Sequence, residues 1–128
     1  MKDIIIVPTN IKVDYIQRSY KVDEDGGITN FYSLTCDINE YGATIVIEEE
    51  LDESMRVVDI KNYIEFNNNN IIIDDDAIDC VDEVIMNVFK NHSNWFYEDN
   101  ENVKDIEESF NKGLRECFKD LEPEDLSA

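Results

Sequence analysis

The chain has 128 residues, and its 31 Asp and Glu outnumber 11 Lys and Arg to give a formal net charge of -20 at pH 7. Such a surface repels nucleic-acid phosphates and anionic lipid, which argues against direct nucleic-acid binding and against a membrane partner. Hydrophobic residues still make up 42% and aromatics 10%, so the sequence reads as one acidic folded domain, 1–128, and not as a disordered acidic tail.

The opening run Ile4-Ile5-Ile6-Val7 is too short for a secretory signal, and no stretch approaches a membrane span. The expected location is therefore the cytoplasm. Cys36, Cys80 and Cys117 are odd in number and widely separated, and in that compartment they are expected to be reduced, each on an apolar face.

In chain order, Asp3 to Val7 reads as a short β-branched strand. Ile11, Val13 and Tyr15 alternate with polar residues in a second strand that continues toward Val22. Asp25-Gly26-Gly27 supplies a tight reversal. The return strand places Ile28, Asn30, Tyr32, Leu34, Cys36 and Ile38 on one face. Asn39 to Gly42 turns the chain into a strand over Ala43–Ile47. Glu48-Glu49-Glu50, with Asp52 and Glu53, follows as an acidic cluster expected in a solvated strand end. Residues 51–66 fit neither period well. A strand is favoured there, because Asn67-Asn68-Asn69-Asn70 is a polar turn after which Ile71-Ile72-Ile73 can pair back; a short helix after Asp52 is the alternative. The loop Asp23-Glu24-Asp25-Gly26-Gly27 fails as a calcium-binding EF-hand, since Ile28 and Leu34 stand where Gly and a bidentate acid are needed.

The second half is helical. Ala77, Ile78, Val81, Val84, Ile85, Val88 and Phe89 form an apolar stripe with Cys80 at its edge. Asp74, Asp75 or Asp76 can cap it, and it should end near Lys90 or Asn91. Val103, Ile106, Phe110, Leu114, Cys117, Phe118 and Leu121 form a second stripe, capped by Asp99 or Asn100 and followed by Pro123. Gly113 within it implies close approach to the sheet or to the other helix. The expected fold class is α+β: an antiparallel β-meander of four to six strands followed by two C-terminal helices packed on one face.

Acids are concentrated in the helical half. Between residues 71 and 101, Asp74, Asp75, Asp76, Asp79, Asp82, Glu83, Glu98, Asp99 and Glu101 face a single base, Lys90. Asp75, Asp79 and Asp82 are spaced i, i+4, i+7 and line one side of the helix, where carboxylates about 6 Å apart can imitate a row of phosphates. Arg and Lys engage both anions with the same hydrogen-bond geometry. The candidate partner-binding residues are therefore Asp75, Asp76, Asp79, Asp82 and Glu83 on the helix, with Trp95, Tyr97, Glu98, Asp99 and Glu101 in the loop after it, where aromatics beside acids suit an interface. His92 is the only histidine, and no nucleophile elbow, phosphate loop or zinc-protease motif is present, so no enzyme activity and no cofactor are expected.

Phe89-Lys90-Asn91, Trp95, Tyr97-Glu98-Asp99 and Glu101 together resemble a stretch of the small acidic phage anti-CRISPR proteins that imitate DNA. The resemblance implies two C-terminal helices behind a small antiparallel sheet. It also implies a place in the host cell of a phage or mobile element, and acids, here Glu98, Asp99 and Glu101, that occupy the groove where a CRISPR effector nuclease reads its PAM. The function expected is thus a DNA-mimicking inhibitor of a basic nucleic-acid-binding protein. The alternatives are an immunity protein against a nuclease toxin, or a phage structural or assembly adaptor.

Overall fold

The structure, a computed structural model of the chain, describes residues 2–97 and 100–119. Its elements in order are β1 (Ile4–Ile6), β2 (Ile11–Val22), β3 (Ile28–Ile38), β4 (Tyr41–Leu51), β5 (Val57–Phe66), β6 (Ile71–Ile73), α1 (Asp75–Asn91), α2 (Ser93–Tyr97) and α3 (Val103–Lys119). The fold is α+β: β2 to β5 form a four-stranded antiparallel meander in sequence order, and the C-terminal helices pack against it.

Turn chemistry sets the registers. Asp23 N–H donates to Gly27 O at 2.7 Å across the first reversal, where Gly26 has φ +90. The second reversal is Asn39-Glu40, both with positive φ (49 and 73). Left-handed residues at both central positions suit the twist of a two-residue hairpin, so Tyr41 and Gly42 belong to β4 and pair with Ile38 and Asp37. Residues 57–66 are a strand antiparallel to β4. The sheet's inner face carries Ile11, Val13 and Ile16 of β2, Tyr32, Leu34, Cys36 and Ile38 of β3, and Ala43, Ile45 and Ile47 of β4, all buried.

Four expectations change. The ladder between β2 and β3 shifts register between Val13 and Tyr15. One extra residue reverses the alternation, so Ile16 is buried and Tyr15 is exposed. Ile71–Ile73 does not pair back on residues 57–66 but pairs in parallel with β1, Ile4 opposite Ile71. Glu48-Glu49-Glu50 stands at the end of β4 with Glu50 exposed, but Glu49 points inward and is buried. A short helix, α2, stands between the two long ones.

Helix α1 starts as its sequence implies. Asp74 is the N-cap, its Oδ1 accepting from Asp76 N–H at 2.8 Å, and the helix ends at Asn91. Ala77, Cys80, Val81, Val84, Ile85, Val88 and Phe89 are buried. Ile78 leaves the stripe: it is 49% exposed. Helix α3 buries Val103, Ile106, Phe110, Leu114 and Phe118; Leu121 and Pro123 lie outside the described residues. Gly113 marks the α1–α3 crossing, where an added Cβ would sit 2.8 Å from Val84 Cγ1.

The cysteines also differ from expectation. Cys80 of α1 and Cys117 of α3 are joined as a disulfide with their Cα atoms 6.1 Å apart, and Cys36 alone is free and buried. No spacing motif marks the pair; helix packing brings it together. The bond closes a loop spanning 37 positions, which on loop-entropy grounds stabilises the fold by about 4 kcal/mol. Cys80→Ser should lower stability in urea unfolding by about 2–4 kcal/mol. A denatured chain titrated without reductant should show the Cys36 thiol alone, and all three thiols only after reduction.

Candidate functional site

The two edges of the meander are treated differently. At β2, side chains from the helical half occupy the edge. Asn111 Oδ1 accepts from Ile11 N–H at 2.8 Å and its Nδ2 donates to Ile11 O at 2.9 Å. Asn100 makes the same pair with Ile16, at 2.6 and 3.4 Å, and Glu107 Oε1 accepts from Val13 N–H at 2.8 Å. Carboxamides thus complete backbone groups that an edge strand otherwise leaves open. At the other side, among the described residues, β5 has a strand neighbour only in β4.

Beside β5 an open groove of about 500 Å³ runs between that strand, β6 and α1. Ile72 and Ile78, 41% and 49% exposed, line it, and so do Asp75, Asp79 and Asp82. The i, i+4, i+7 row therefore borders an apolar trough. Asp76 and Glu83 are exposed as well, but they are not part of the groove lining.

Some acids are used by the fold, whereas the carboxylates of others, among them Asp14, Asp37, Glu65 and Glu108 as well as the α1 row, have no bonded partner among the described residues. Asp52 Oδ1 accepts from Ser54 and Arg56 N–H, Asp25 Oδ1 from Gly27 N–H, and Asp23 Oδ2 from Thr29 Oγ1. Those carboxylates build their own turns. On the sheet's outer face Lys61 Nζ meets Asp59 Oδ2 at 3.6 Å. By contrast, among the described residues the carboxylates of Asp75, Asp76, Asp79, Asp82 and Glu83 have neither an ion pair nor a hydrogen-bond donor. Charge balance separates the helices too. Helix α1 holds those five acids against Lys90, whereas α3 sets Asp105, Glu107, Glu108 and Glu116 against Lys104, Lys112, Arg115 and Lys119.

The loop candidates are divided. Glu98 and Asp99 lie outside the described residues. Glu101 is exposed. Trp95 is half-buried, stacks on the His92 ring at 3.8 Å and packs against the core. Tyr97 donates its hydroxyl to Glu49 Oε2 at 3.0 Å. Both aromatics thus serve the fold. They follow the C-terminal end of α1, roughly 24 Å along the helix axis from Asp75, so the structure does not gather the eight described candidates into one patch.

Sequence reasoning missed the part played by Glu49. Only 3% exposed, it accepts from Tyr32 Oη and Asn30 Nδ2, both at 3.2 Å, besides Tyr97. Tyr32 also packs against Phe89 and Phe96, with ring centroids 5.3 and 6.3 Å away. This closes the end of α1 over β3. The signal was present in the alternation of β4: Ile45, Ile47, Glu49 and Leu51 share one face. Cys36 is inert by position, its thiol pushed up to about 12 chiefly by burial.

Comparison with known protein families, with curated proteins and with solved structures finds no match for this chain.

The Glu49 cluster carries a pH dependence. Burial, then the Glu49 carboxylate, raises Tyr32 above its ordinary 10.0, and burial with the Glu49 hydrogen bond raises Tyr97. A folded-state pKa above the unfolded one leaves its stabilisation whole below pH 10 and lost as pH rises beyond it. Stability measured by urea unfolding should therefore fall above pH 10, and less steeply in Tyr97→Phe. At pH 7 that variant should cost about 1 kcal/mol for the lost hydrogen bond.

Proposed function

We propose that the protein is an acidic inhibitor that imitates DNA and occupies the nucleic-acid site of a basic protein, with the PAM-reading site of a CRISPR effector nuclease as the target. The observation that carries this reading is the set of exposed α1 carboxylates that the fold itself does not use. A carboxylate without a donor of its own is free to accept two parallel bonds from an incoming guanidinium. Held on a packed helix, the row loses little freedom on binding, which lowers the cost of association. The surplus negative field speeds encounter with a cationic groove. The likeness of residues 89–101 to DNA-imitating anti-CRISPR proteins supports the choice of target. Inhibition on this mechanism is stoichiometric and needs no chemistry.

The apolar groove beside the acids favours a second reading, an immunity protein matched to one nuclease toxin, because an apolar anchor recognises shape as well as charge. Competition with DNA distinguishes the two. A DNA mimic and DNA exclude one another on the target, whereas an immunity protein is free to bind elsewhere.

Asp79→Lys with Asp82→Lys should abolish inhibition of a captured basic nuclease, with at least a hundredfold loss of affinity. The circular dichroism spectrum should be unchanged, because both residues are exposed. Wild-type affinity should also fall steeply as salt is raised from about 50 to 200 mM, as contacts that replace phosphates require. Full inhibition by the double variant would sink the reading.

A further inference from the structure

We infer that the groove between α1 and β5 is the docking site for an extended cationic segment of the partner protein, which adds to the open edge of β5 and seats an apolar side chain between Ile72 and Ile78. This rests on the reading of the protein as a binder of basic proteins, and it names the recognition element.

Three independent observations converge here. The first is the asymmetry of the sheet. Asn100, Glu107 and Asn111 close the β2 edge with hydrogen bonds to its backbone, while among the described residues the four-strand order ends at β5 with no strand beyond it. An open edge is a template for an added strand. The second is the exposure of Ile72 and Ile78 on the groove wall, with Val57, Val58 and Tyr63 of β5 also exposed. The third is Asn62, which lines the groove and whose Nδ2 is buried without an acceptor. A buried donor left unpaired is costly, and a carbonyl of an added strand supplies the missing partner once the amide turns toward it.

Charge selects the occupant. Asp75, Asp79 and Asp82 line the trough without partners of their own. In an added strand, side chains alternate between the two faces of the sheet, so one apolar residue enters the trough while Lys or Arg on the same face reach the acids. A second copy of this chain is disfavoured as occupant, because pairing two β5 edges brings together two molecules of net charge -20.

The test titrates the full, isotope-labelled chain with two synthetic peptides of equal charge: a Leu–Lys peptide of repeat Lys-Thr-Leu-Thr, which sets Lys and Leu on one face of an added strand, and the same peptide with Ser in place of Leu. The Leu–Lys peptide should bind at least tenfold tighter, with amide shifts concentrated on residues 57–66 and on the first half of α1. Ile72→Ser with Ile78→Ser should erase that preference while the chain stays folded, since both side chains are exposed. Equal affinities for the two peptides, shifts away from β5, a preference that survives the double variant, or a β5-mediated dimer in sedimentation would each overturn the inference. The underlying reading fails separately. If the Ile72/Ile78 variant inhibits the basic nuclease fully while the Asp79/Asp82 variant does not, charge recognition stands and the groove falls. If no basic nuclease is bound but the Leu–Lys preference and its loss in the variant hold, the groove stands and the inhibitor reading falls.

Discussion

Helix α1 has one way to lie, and the surface chemistry of the molecule follows from it. Its buried side chains between Ala77 and Phe89 each stabilise the packed arrangement by about 1.5–3 kcal/mol for the larger ones. Rotating the helix by one residue, about 100°, would drive Asp79 or Asp82 toward the sheet and pull Val81 or Ile85 into water. Gly113 lets α3 approach Val84 closely, and the Cys80–Cys117 bond ties the same two helices. The acids are left with no orientation but outward.

That orientation costs something, and the helix geometry offsets part of it. Asp75 and Asp76 lie in the first turn, where the unpaired N–H groups and the helix dipole favour negative charge, and Asp74 caps. Asp79, Asp82 and Glu83 lie beyond the reach of that effect and add like-charge strain at i, i+3 and i, i+4 spacing. Some acids elsewhere are used by the fold: Glu49 holds Tyr32 and Tyr97, Glu107 holds Val13 N–H, and Asp52 holds its turn. Residues that strain the isolated fold and serve none of its bonds are where an external partner is most informative to seek.

Much of this was legible in the residue order, for reasons that separate local from non-local physics. The two long helices announce themselves through apolar period, and α1 through its Asp74 cap as well, features that depend on near neighbours; the cap expected of α3 at Asn100 does not form, because the helix starts at Val103 and Asn100 is bonded to Ile16. The β2–β3–β4 path is legible because Asp25-Gly26-Gly27 and Asn39-Glu40 specify their turns. The failures are contacts between distant segments. Nothing in Ile71–Ile73 says that its partner is Ile4–Ile6, since two β-branched triplets pair equally well in many places. Ile78 has the spacing of a core residue, yet it lines the open groove beside β5 and β6 and stays half exposed. The partnership of Cys80 with Cys117 depends on how α1 crosses α3. Of the proposed site, the row Asp75, Asp79, Asp82 was readable as one side of a helix; the trough beside it was not, because β5 and β6 form its other wall.

In the proposed recognition of a basic partner, charge and groove would contribute in different ways. Carboxylates about one turn apart lie within a Debye length of one another at physiological salt, about 8 Å, so an approaching cation meets them as a unit. Their field sets how fast a basic partner arrives and is weakened by salt. It discriminates poorly, since any cationic surface satisfies it. The apolar trough acts only at contact, is little affected by salt, and rewards one arrangement of side chains. A protein that relied on carboxylates alone would be held by every basic protein in its surroundings. On the proposed reading, placing Ile72 and Ile78 among the acids of α1 would make tight binding depend on a partner that presents an apolar residue between its cations, which is the condition for recognising one basic protein among many.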